Sequence, residues 1–422
     1  MKSIIKTMFG LTLPIVTLVL ASPASAQTGI EAAFVVMGEG GLAVARVITS
    51  NAACPSITVD KLTTAMSLRA PPSVPEFPVT VCEFAVPAGA EYVAVEGFVL
   101  PTLPQFPVSK IVVLGDTGCR MKAGSAFQHC NDPKAWPLAQ VATAAAANAP
   151  QVVVHVGDYV YREAACPEGD QGCSGSPYGD NWLTWRTELF GPAAPLLASA
   201  PWVVARGDHE TCKRSGNGFF RFLDPRPLGE ECVSNSRPYE VPLGSVQFFV
   251  MDSNEGTDGS DARVADYHSQ LGGIVKTEKE TWIITHMPFW GFRGAKPPEA
   301  PKSFTPSLQE AAKGLPLAGV SQIITGHLHA FQALSFADGR PDQMVVGNGG
   351  TSLDPDIDLE LAGMSLGGTQ VKSGVAISEF GFVTITKDQA SNEWEFRLLT
   401  LDGKNAQRCL KQSPKRGLDC AY

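Results

Sequence analysis

Short apolar runs, each followed closely by glycine or aspartate, recur through the central part of the chain at Lys110–Leu114, Val152–Val156, Trp202–Arg206 and Val246–Met251. Apolar runs of this length are typical of strands that are buried in a sheet. Between the first two runs, Trp136–Asn148 is rich in strong helix formers and predicts a helix. A strand, a helix and a strand at this spacing predict a βαβ unit, and therefore a parallel sheet.

Three shorter runs continue the series at Trp282–Ile284, Gln322–Ile324 and Met344–Val346, and each leads into a turn that contains glycine or histidine. Beyond them, Phe382–Thr386 and Trp394–Leu401 alternate between apolar and polar residues. Alternation with a period of two predicts antiparallel strands with one face on the core. The central and C-terminal pattern therefore predicts an α/β fold.

Residues 27–105 show a different pattern, in which glycine, proline and asparagine separate short apolar stretches. These stretches are Ala32–Met37, Leu42–Ile48, Val79–Phe84 and Tyr92–Leu100. Short strands with frequent turn signals predict a small all-β, sandwich-like domain. The three prolines of Pro101–Pro107 predict a linker, because proline stiffens a chain and stops helices. We therefore expect a second, larger domain at residues 108–422.

Composition and charge exclude some classes of protein. The chain has 422 residues, which is enough for two or three domains. Its apolar content of 44% and charged content of 18% fit an ordinary globular protein. The formal net charge of −9 argues against nucleic acid as the main partner, because phosphate backbones select basic surfaces.

The N-terminus has the features of a secretory signal peptide. Lys2 and Lys6 precede and flank an apolar run, Met8–Leu20, and Ala24-Ser25-Ala26 forms a small-residue cleavage site. The run is too short, and too directly followed by the cleavage site, for a stable membrane span, although an uncleaved anchor is the alternative. We therefore expect residues 1–26 to be removed and the mature protein to be secreted or periplasmic, with no stable membrane anchor.

Ten cysteines agree with export, because an even number of cysteines in an exported chain predicts disulfides. None of them has the C-x-x-C spacing of a zinc or redox site, so free or metal-binding cysteine is the less favoured alternative. The simplest pairing joins neighbours along the chain. The predicted couples are Cys54/Cys82, Cys119/Cys130, Cys166/Cys173, Cys212/Cys232 and Cys409/Cys420.

Residues that can bind a metal follow the predicted strands. They are Asp116, Asp158, Tyr161, Asp208, His286, His327 and His329. Aspartate and tyrosine after a single strand are also common in ordinary turns. However, open α/β sheets bind ligands outside the carboxyl ends of their strands, where all of these residues fall. Seven carboxylate, phenol and imidazole donors are too many for one tetrahedral zinc and predict a pair of metal ions.

Five motifs occur in order at Gly115–Gly118, Gly157–Tyr161, Gly207–Glu210, Ile283–His286 and Gly326–His329. They correspond to the patterns D-x-G, G-D-x-x-Y, G-N-H-D/E, V-x-x-H and G-H-x-H. As a set, they resemble the calcineurin-like metallophosphoesterase superfamily and, within it, the purple acid phosphatases. The resemblance implies a four-layer αββα sandwich in the catalytic domain, preceded by a small N-terminal all-β domain.

The resemblance also implies the roles of the candidate residues. Those assigned to a ferric site are Asp116, Asp158, Tyr161 and His329. Asp158 would bridge to a second, divalent metal (Zn, Fe or Mn), which would also bind Asp208, His286 and His327. A phenolate and carboxylates are hard donors that suit Fe(III), whereas the imidazole-rich half suits a divalent ion. His209 would face the substrate, so that His209 and Asp158 are the predicted catalytic residues.

The function implied by the resemblance is hydrolysis of phosphate monoesters. A metal-activated hydroxide would attack phosphorus, and His209 would protonate the leaving alkoxide. A phosphodiesterase or nucleotide-specific phosphohydrolase on the same scaffold is one alternative, because loops set the size of the substrate. A non-catalytic metal-binding protein is the other, although all of the donor residues are present.

The sequence departs from the family pattern at two positions. Asp208 occupies the place of asparagine and adds a negative charge to the second site, whereas Ile283 replaces valine without changing the chemistry. The resemblance leaves Trp182–Arg186 open, either as part of the pocket or as a surface helix. It also leaves Asn348–Gly350 open, either as a backbone contact with the site or as a simple turn.

Overall fold

The computed structural model describes residues 29–274, 278–293, 305–315, 317, 319–355, 359–402 and 404–421. Its α-helices are α1 Leu138–Ala147, α2 Trp182–Trp185, α3 Ala194–Leu197, α4 Gly216–Phe222, α5 Asp261–Gly272 and α6 Pro306–Ala312. Two 3-10 turns, Glu39–Gly41 and Asp208–Glu210, and one π-helical turn, Arg186–Phe190, are also present.

The strands of the first half of the chain are β1 Ile30–Met37, β2 Ala43–Thr49, β3 Ser56–Val59, β4 Leu62–Ala65, β5 Ser67–Ala70, β6 Thr80–Val86, β7 Val93–Val95, β8 Phe98–Leu100, β9 Lys110–Leu114, β10 Val152–His155 and β11 Trp202–Val204. Those of the second half are β12 Tyr239–Pro242, β13 Val246–Val250, β14 Glu280–Ile284, β15 Val320–Thr325, β16 Phe331–Phe336, β17 Asp342–Val346, β18 Leu359–Glu360, β19 Ser365–Leu366, β20 Thr369–Ile377, β21 Gly381–Asp388, β22 Glu393–Thr400, β23 Asn405–Gln412 and β24 Asp419–Ala421.

Two large sheets form the centre of the molecule. The first has the strand order β24-β23-β22-β21-β9-β10-β11-β1-β2-β6-β5, in which β9, β10 and β11 are parallel neighbours. The second has the order β12-β13-β14-β15-β17-β16-β20-β18, with β19 paired to β20, and β13, β14, β15 and β17 are parallel neighbours. The parallel centre and the antiparallel tail strands agree with the sequence prediction.

Side-chain alternation within single strands divides the core into layers. In β9, Ile111 and Val113 face the interior between the two sheets, where Phe248 and Ile284 of the second sheet meet them. Val112 and Leu114 face the other side, which α1, the π-helical turn and α4 cover. On the outer face of the second sheet, α5 and α6 contribute Tyr267, Leu271, Leu308 and Ala311 to a third apolar cluster. The result is a helix–sheet–sheet–helix sandwich, and the predicted four-layer fold is confirmed.

The N-terminal β region continues the first sheet. Strand β1 pairs in parallel with β11 through Val36 and Trp202, and β2, β6 and β5 follow beyond β1. A separate four-stranded sheet, β4-β3-β7-β8, covers this end of the large sheet over a cluster that contains Val35, Val47 and Ile57. The region therefore has two facing layers, as expected, but its strand pairing crosses the predicted boundary near residue 105. That boundary stays a prediction.

Element boundaries differ from the sequence predictions in detail. The predicted helix Trp136–Asn148 is shorter, at Leu138–Ala147. The single stretch Tyr92–Leu100 is a hairpin of β7 and β8, because Glu96 and Gly97 have φ angles of 46° and 91° and reverse the chain there. Left-handed backbone of this kind interrupts a strand irrespective of its apolar content.

The five predicted disulfides are all present, and the described residues include no free cysteine. Cys119–Cys130 follows β9 and Cys212–Cys232 follows β11, so that two of the bridges fix loops at the same end of the first sheet. Disulfides of this number indicate an oxidising compartment. Among the described residues, no helix is long and apolar enough to cross a membrane. The predicted signal peptide, residues 1–26, lies outside the described residues.

Candidate metal centre

The candidate ligands meet where the parallel strands of both sheets end. Asp116 follows β9, Asp158 follows β10 and Asp208 follows β11, which are neighbours in the first sheet. His286 follows β14 and His327 follows β15, which are neighbours in the second sheet. Since the two sheets face each other, five loops converge at one edge of the sandwich, as expected for α/β sheets.

Three of these ligand positions have an uncommon backbone conformation. Asp116, Asp158 and His327 have φ angles of 53°, 59° and 68°, and they are three of only eight non-glycine residues with positive φ in the described part of the chain. Left-handed backbone costs free energy for residues that carry a Cβ atom. It concentrates at functional sites, where the surrounding structure holds the side chain in a required direction.

Glycines beside the ligands allow the loops to approach closely. A Cβ atom on Gly207 would lie 2.1 Å from Oδ1 of Asp158, and one on Gly326 would lie 2.3 Å from Oδ2 of Asp116. Both distances are far below van der Waals contact. The glycines of the Gly-Asp-His and Gly-His-x-His motifs are thus required by the packing of one loop against the ligand of another.

Four of the candidate ligands form a compact group. Asp158, Asp208, His286 and His327 each place one donor atom within 4.8 Å of the others, as a metal site requires. His286 is oriented by the main chain, because its Nδ1 lies 2.8 Å from the carbonyl oxygen of Val156. A carbonyl only accepts, so Nδ1 donates to it and Nε2 is the nitrogen that faces the carboxylates of Asp158 and Asp208.

The other candidate ligands surround the phenol of Tyr161. Its hydroxyl lies 2.6 Å from Oδ2 of Asp158, 3.1 Å from Oδ1 of Asp116 and 3.0 Å from Nε2 of His329. His329 is oriented in the same way as His286, since its Nδ1 lies 2.8 Å from the carbonyl oxygen of Ser352. Asp158 therefore belongs to both groups and lies between them.

The buried acidic groups of the site would be stabilised in their anionic forms by metal ions. Burial, reinforced by the carboxylates of Asp158 and Asp116, raises the pKa of Tyr161 well above its ordinary value. Burial also raises the pKa of Asp116. A cation among these groups acts in the opposite direction and stabilises their anionic forms. Buried carboxylates, a phenol and imidazole nitrogens are a suitable donor set for a pair of metal ions.

His209 lies beside the donors without joining them. Its ring is 3.9 Å from the ring of Tyr161, measured between centroids, and its backbone N–H donates to Oδ1 of Asp158 over 3.0 Å. Its Nδ1 lies 2.8 Å from Oε1 of Glu163. Burial lowers the pKa of His209, but the carboxylates of Asp158 and Glu163 outweigh burial and raise it above the ordinary value.

Two buried glutamates, Glu210 and Glu188, hold the ligand loops in place. Neither was predicted from the sequence. Glu210 accepts backbone N–H groups of Gly207, Asp158 and Tyr159 at 2.9–3.1 Å. Glu188 accepts those of Cys119 and Tyr161 at 2.9 and 2.7 Å. Glu210 lies inside the Gly-Asp-His-Glu motif and could have been identified there. Glu188 lies outside every motif, and nothing in the sequence singles it out.

The two segments left open by the sequence have clear positions. Gly349 donates its N–H to Gly115 and Thr351 donates to Asp116, so Asn348–Gly350 contacts the first ligand loop through its backbone. Trp182 and Trp185 are buried in the apolar cluster on the outer face of the first sheet. They belong to the core and do not line the site.

A family model for calcineurin-like phosphoesterases matches residues 109–331, which is more than half of the chain and contains all five motifs. The chain belongs to the calcineurin-like phosphoesterase family. Its metal centre is accordingly of the kind that is typical of binuclear metallophosphoesterases.

Solved structures are similar over most of the chain. Purple acid phosphatase PPD1 from yellow lupin (Lupinus luteus) seeds matches with a TM-score of 0.58 and 14% identity, over 89% of this chain and 73% of that one. PhoD matches with a TM-score of 0.57 and 13% identity, over 93% of this chain and 92% of that one. At these identities the likeness shows a shared fold. A comparison with curated proteins found no match.

Proposed function

We propose that this protein is an exported, binuclear metal-dependent phosphatase that hydrolyses phosphate monoesters. The observation that carries the proposal is the pair of donor groups that share Asp158, with His209 beside them. Two donor groups that share a carboxylate would suit a pair of metal ions of the kind that binuclear phosphatases use. The five disulfides support export to an oxidising compartment.

The ligands proposed for a ferric ion are Asp116, Asp158, Tyr161 and His329. The ligands proposed for a divalent ion (Zn, Fe or Mn) are Asp158, Asp208, His286 and His327. Hard phenolate and carboxylate donors favour Fe(III) in the first group, and the two imidazoles favour a divalent ion in the second. When bound, such a pair supplies Lewis-acid activation of the phosphoester and of the attacking water.

His209 is proposed to deliver a proton to the leaving oxygen. Its Nδ1 faces the Glu163 carboxylate at 2.8 Å, so that Nε2 is the nitrogen available to a substrate. The carboxylates of Asp158 and Glu163 raise the pKa of His209, and this favours the protonated ring that a general acid requires. The hydrogen bond from the backbone N–H of His209 to Oδ1 of Asp158 holds this residue next to the candidate metal centre.

A panel of phosphate monoesters with leaving groups of different basicity, and a phosphodiester for comparison, tests the proposal. Wild-type protein is expected to hydrolyse the monoesters faster than the diester. His209→Ala is expected to lose about 10²–10⁴-fold on alkyl esters, which need a protonated leaving group, and much less on 4-nitrophenyl phosphate. Preference for the diester would favour a phosphodiesterase, and equal losses on both kinds of monoester would rule out His209 as the acid.

Tyr161→Phe tests the proposed iron. A tyrosinate bound to Fe(III) gives a broad visible charge-transfer band, which the variant should lose while its fold remains intact. Elemental analysis of the same samples provides the metal content. A colourless wild-type protein that contains no iron and is fully active would contradict the ferric assignment without affecting the proposed reaction.

A further inference from the structure

A pocket of about 330 Å³ opens beside His209. Its lining includes Val160, Glu163, His209, Lys213 and Arg214. This volume lies at the lower end of the range for small-molecule sites, about 300–1,000 Å³. Because His209 forms part of the wall, a group in this pocket is next to the proposed proton donor.

The wall that carries Lys213 and Arg214 is fixed before any ligand binds. Lys213 and Arg214 follow Cys212, whose disulfide to Cys232 closes their loop. Oδ2 of Asp180 accepts the N–H of Asn217 at 3.0 Å, which holds the start of α4 immediately after the loop. A pocket that is already formed does not require ordering of its loop when a ligand binds.

The two acidic side chains of the pocket have hydrogen-bond or ion-pair partners, whereas Lys213 differs from them. Glu163 lies 2.8 Å from Nδ1 of His209 and 3.3 Å from Nε of Arg214, so its negative charge already has two partners. Asp180, the other acid of the lining, accepts N–H groups from Trp185 and the start of α4. Lys213 is exposed and has no carboxylate within ion-pair distance among the residues that the structure describes.

The positive charge of Lys213 contrasts with the formal net charge of the chain, which is −9. In an ester bound to the metal centre, the leaving group lies next to the residue that protonates it. The pocket beside His209 is therefore adjacent to the position of the leaving group, and the exposed Lys213 belongs to its lining. An anionic substituent on the leaving group would meet Lys213 there, which has no carboxylate partner among the described residues.

We propose that this pocket is the leaving-group subsite, and that Lys213 makes it selective for phosphate esters whose leaving group carries an anionic substituent. This inference rests on the proposed function, since it concerns the substrate of the same site. Lys213 contributes to specificity and takes no part in the bond-breaking step.

Two aryl phosphates that differ in one charge provide the probe: meta-(carboxymethyl)phenyl phosphate and meta-ethylphenyl phosphate. The methylene group separates the carboxylate from the ring, so the two phenols are similar in basicity and size. The measured quantity is the ratio of kcat/KM for the charged ester to kcat/KM for the neutral ester. We expect this ratio to exceed one for the wild-type protein and to decrease as the salt concentration rises.

Lys213→Glu reverses this charge in the pocket lining and should lower the ratio about five- to twentyfold, as expected when an exposed ion pair is replaced by a repulsive one. Lys61→Glu is the matched control, because Lys61 is an exposed lysine in the turn between β3 and β4. It changes the net charge of the protein by the same amount at a distance from the pocket. The control should leave the ratio at the wild-type value.

Binding of the two free phenols, meta-hydroxyphenylacetate and meta-ethylphenol, gives a second readout that does not depend on turnover. Ligand-observed NMR should show that Lys213→Glu weakens binding of the anionic phenol relative to the neutral one. An unchanged kcat/KM ratio or an unchanged ratio of affinities in Lys213→Glu would overturn the subsite. If neither ester is hydrolysed by the wild-type protein, the proposed function fails instead, and the two failures are therefore distinguishable.

Discussion

Asp208 faces different partners with its two carboxylate oxygens. Oδ1 lies 3.2 Å from Nε2 of His286 and 2.9 Å from Nδ1 of His327, inside the group of donors. Oδ2 lies 3.1 Å from an Nη atom of Arg214. The aspartate that replaces the family's asparagine is therefore directed at the metal centre, and Arg214 offsets part of the charge that the replacement adds.

Asp208→Asn is expected to weaken retention of the second metal ion, because the affinity of a hard cation rises with the number of anionic oxygens. The acid limb of the pH–rate profile should also move to lower pH, since a less negative ligand set makes a stronger Lewis acid. Metal content after dialysis against a chelator, together with a pH–rate profile, provides the test. If both are the same as in the wild-type protein, Asp208 does not act as a charged ligand.

Burial of the imidazole ring of His155 makes the free energy of unfolding depend on pH in the acid range. Its side chain is fully buried in β10, and burial lowers its pKa from 6.5 to about 3. The folded protein therefore keeps His155 neutral while the unfolded chain becomes protonated below pH 6.5. The pKa of His155 is lower in the folded protein than in the unfolded chain, so the unfolded chain binds a proton first. Stability is therefore lost as the pH falls from about 6.5 towards 3.

His155→Gln should reduce the loss of stability on acidification by about 3 kcal/mol between pH 7 and pH 4. Urea unfolding of the variant and the wild type at both pH values measures the difference, and each protein serves as its own reference. The variant will be less stable at pH 7, since its packing changes. An identical loss of stability in the two proteins would show that His155 does not cause the pH dependence.

The convergence of the candidate ligands could be predicted, because each of them follows a strand within a short motif. The backbone supports could not be predicted equally well. Glu210 occurs within a motif, but Glu188 reaches the loops of Cys119 and Tyr161 from a helical segment far along the chain. A contact of that kind depends on tertiary packing and leaves no local pattern.

At the scale of elements, the π-helical turn Arg186–Phe190 links the first two ligand loops. It places Glu188, which is fully buried, where Oε1 lies 2.6 Å from Nε of Arg162 and Oε2 lies 2.7 Å from the backbone nitrogen of Tyr161. π-Helical turns often occur at functional sites, since the extra residue redirects the side chains that follow. This turn positions Tyr161 without contacting the proposed metals.

Glu188→Gln should lower the free energy of unfolding by about 1–3 kcal/mol, because an amide N–H₂ cannot accept one of these hydrogen bonds. It should also shift the visible band expected from Tyr161 and iron, which a purely structural role would leave in place. Glu31→Gln is the control, since Glu31 pairs at 3.5 Å with Arg186 of the same turn on the exposed surface. Loss of stability without any change in the band would reject a positioning role.

Strands could be predicted where one apolar run forms one uninterrupted strand. The runs at β9, β13 and β15 appear as strands close to their predicted positions. Three of the four N-terminal stretches were assigned to single strands correctly, whereas Tyr92–Leu100 is a hairpin. The sequence also did not reveal that β1 joins the large sheet beside β11. Pairing between strands that are far apart in the chain follows from packing of the whole sheet, which local periodicity does not encode.

At the scale of the whole molecule, the N-terminal region and the metal-binding region share one sheet. Besides the pairing of β1 with β11, two buried arginines connect them. Arg46 donates to the carbonyl oxygen of Phe222 at 2.8 Å, and Arg69 donates to that of Phe220 at 2.6 Å. These carbonyls belong to α4, which begins just after the loop of Lys213 and Arg214.

A chain that begins at Val108 should therefore fail to fold into a stable protein, because it exposes the edge of β11 and removes the partners of α4. A chain that begins at Gly29 retains all described elements and serves as the comparison. Circular dichroism and size-exclusion chromatography measure the outcome. A monomeric, folded and active Val108 chain would instead support an independent domain at the predicted boundary.

Asp158 is proposed to bind both metal ions, and the number of metal ions per chain depends on this shared carboxylate. The wild-type protein should contain about two metal ions per chain, and Asp158→Ala should lose both together with phosphate monoester hydrolysis. Asp388→Ala is the control, because this exposed residue ends β21 near the opposite end of the sheet from Asp116. It should keep both metals. An Asp158→Ala protein that retains two metal ions and full activity would show that Asp158 is not shared by two ions.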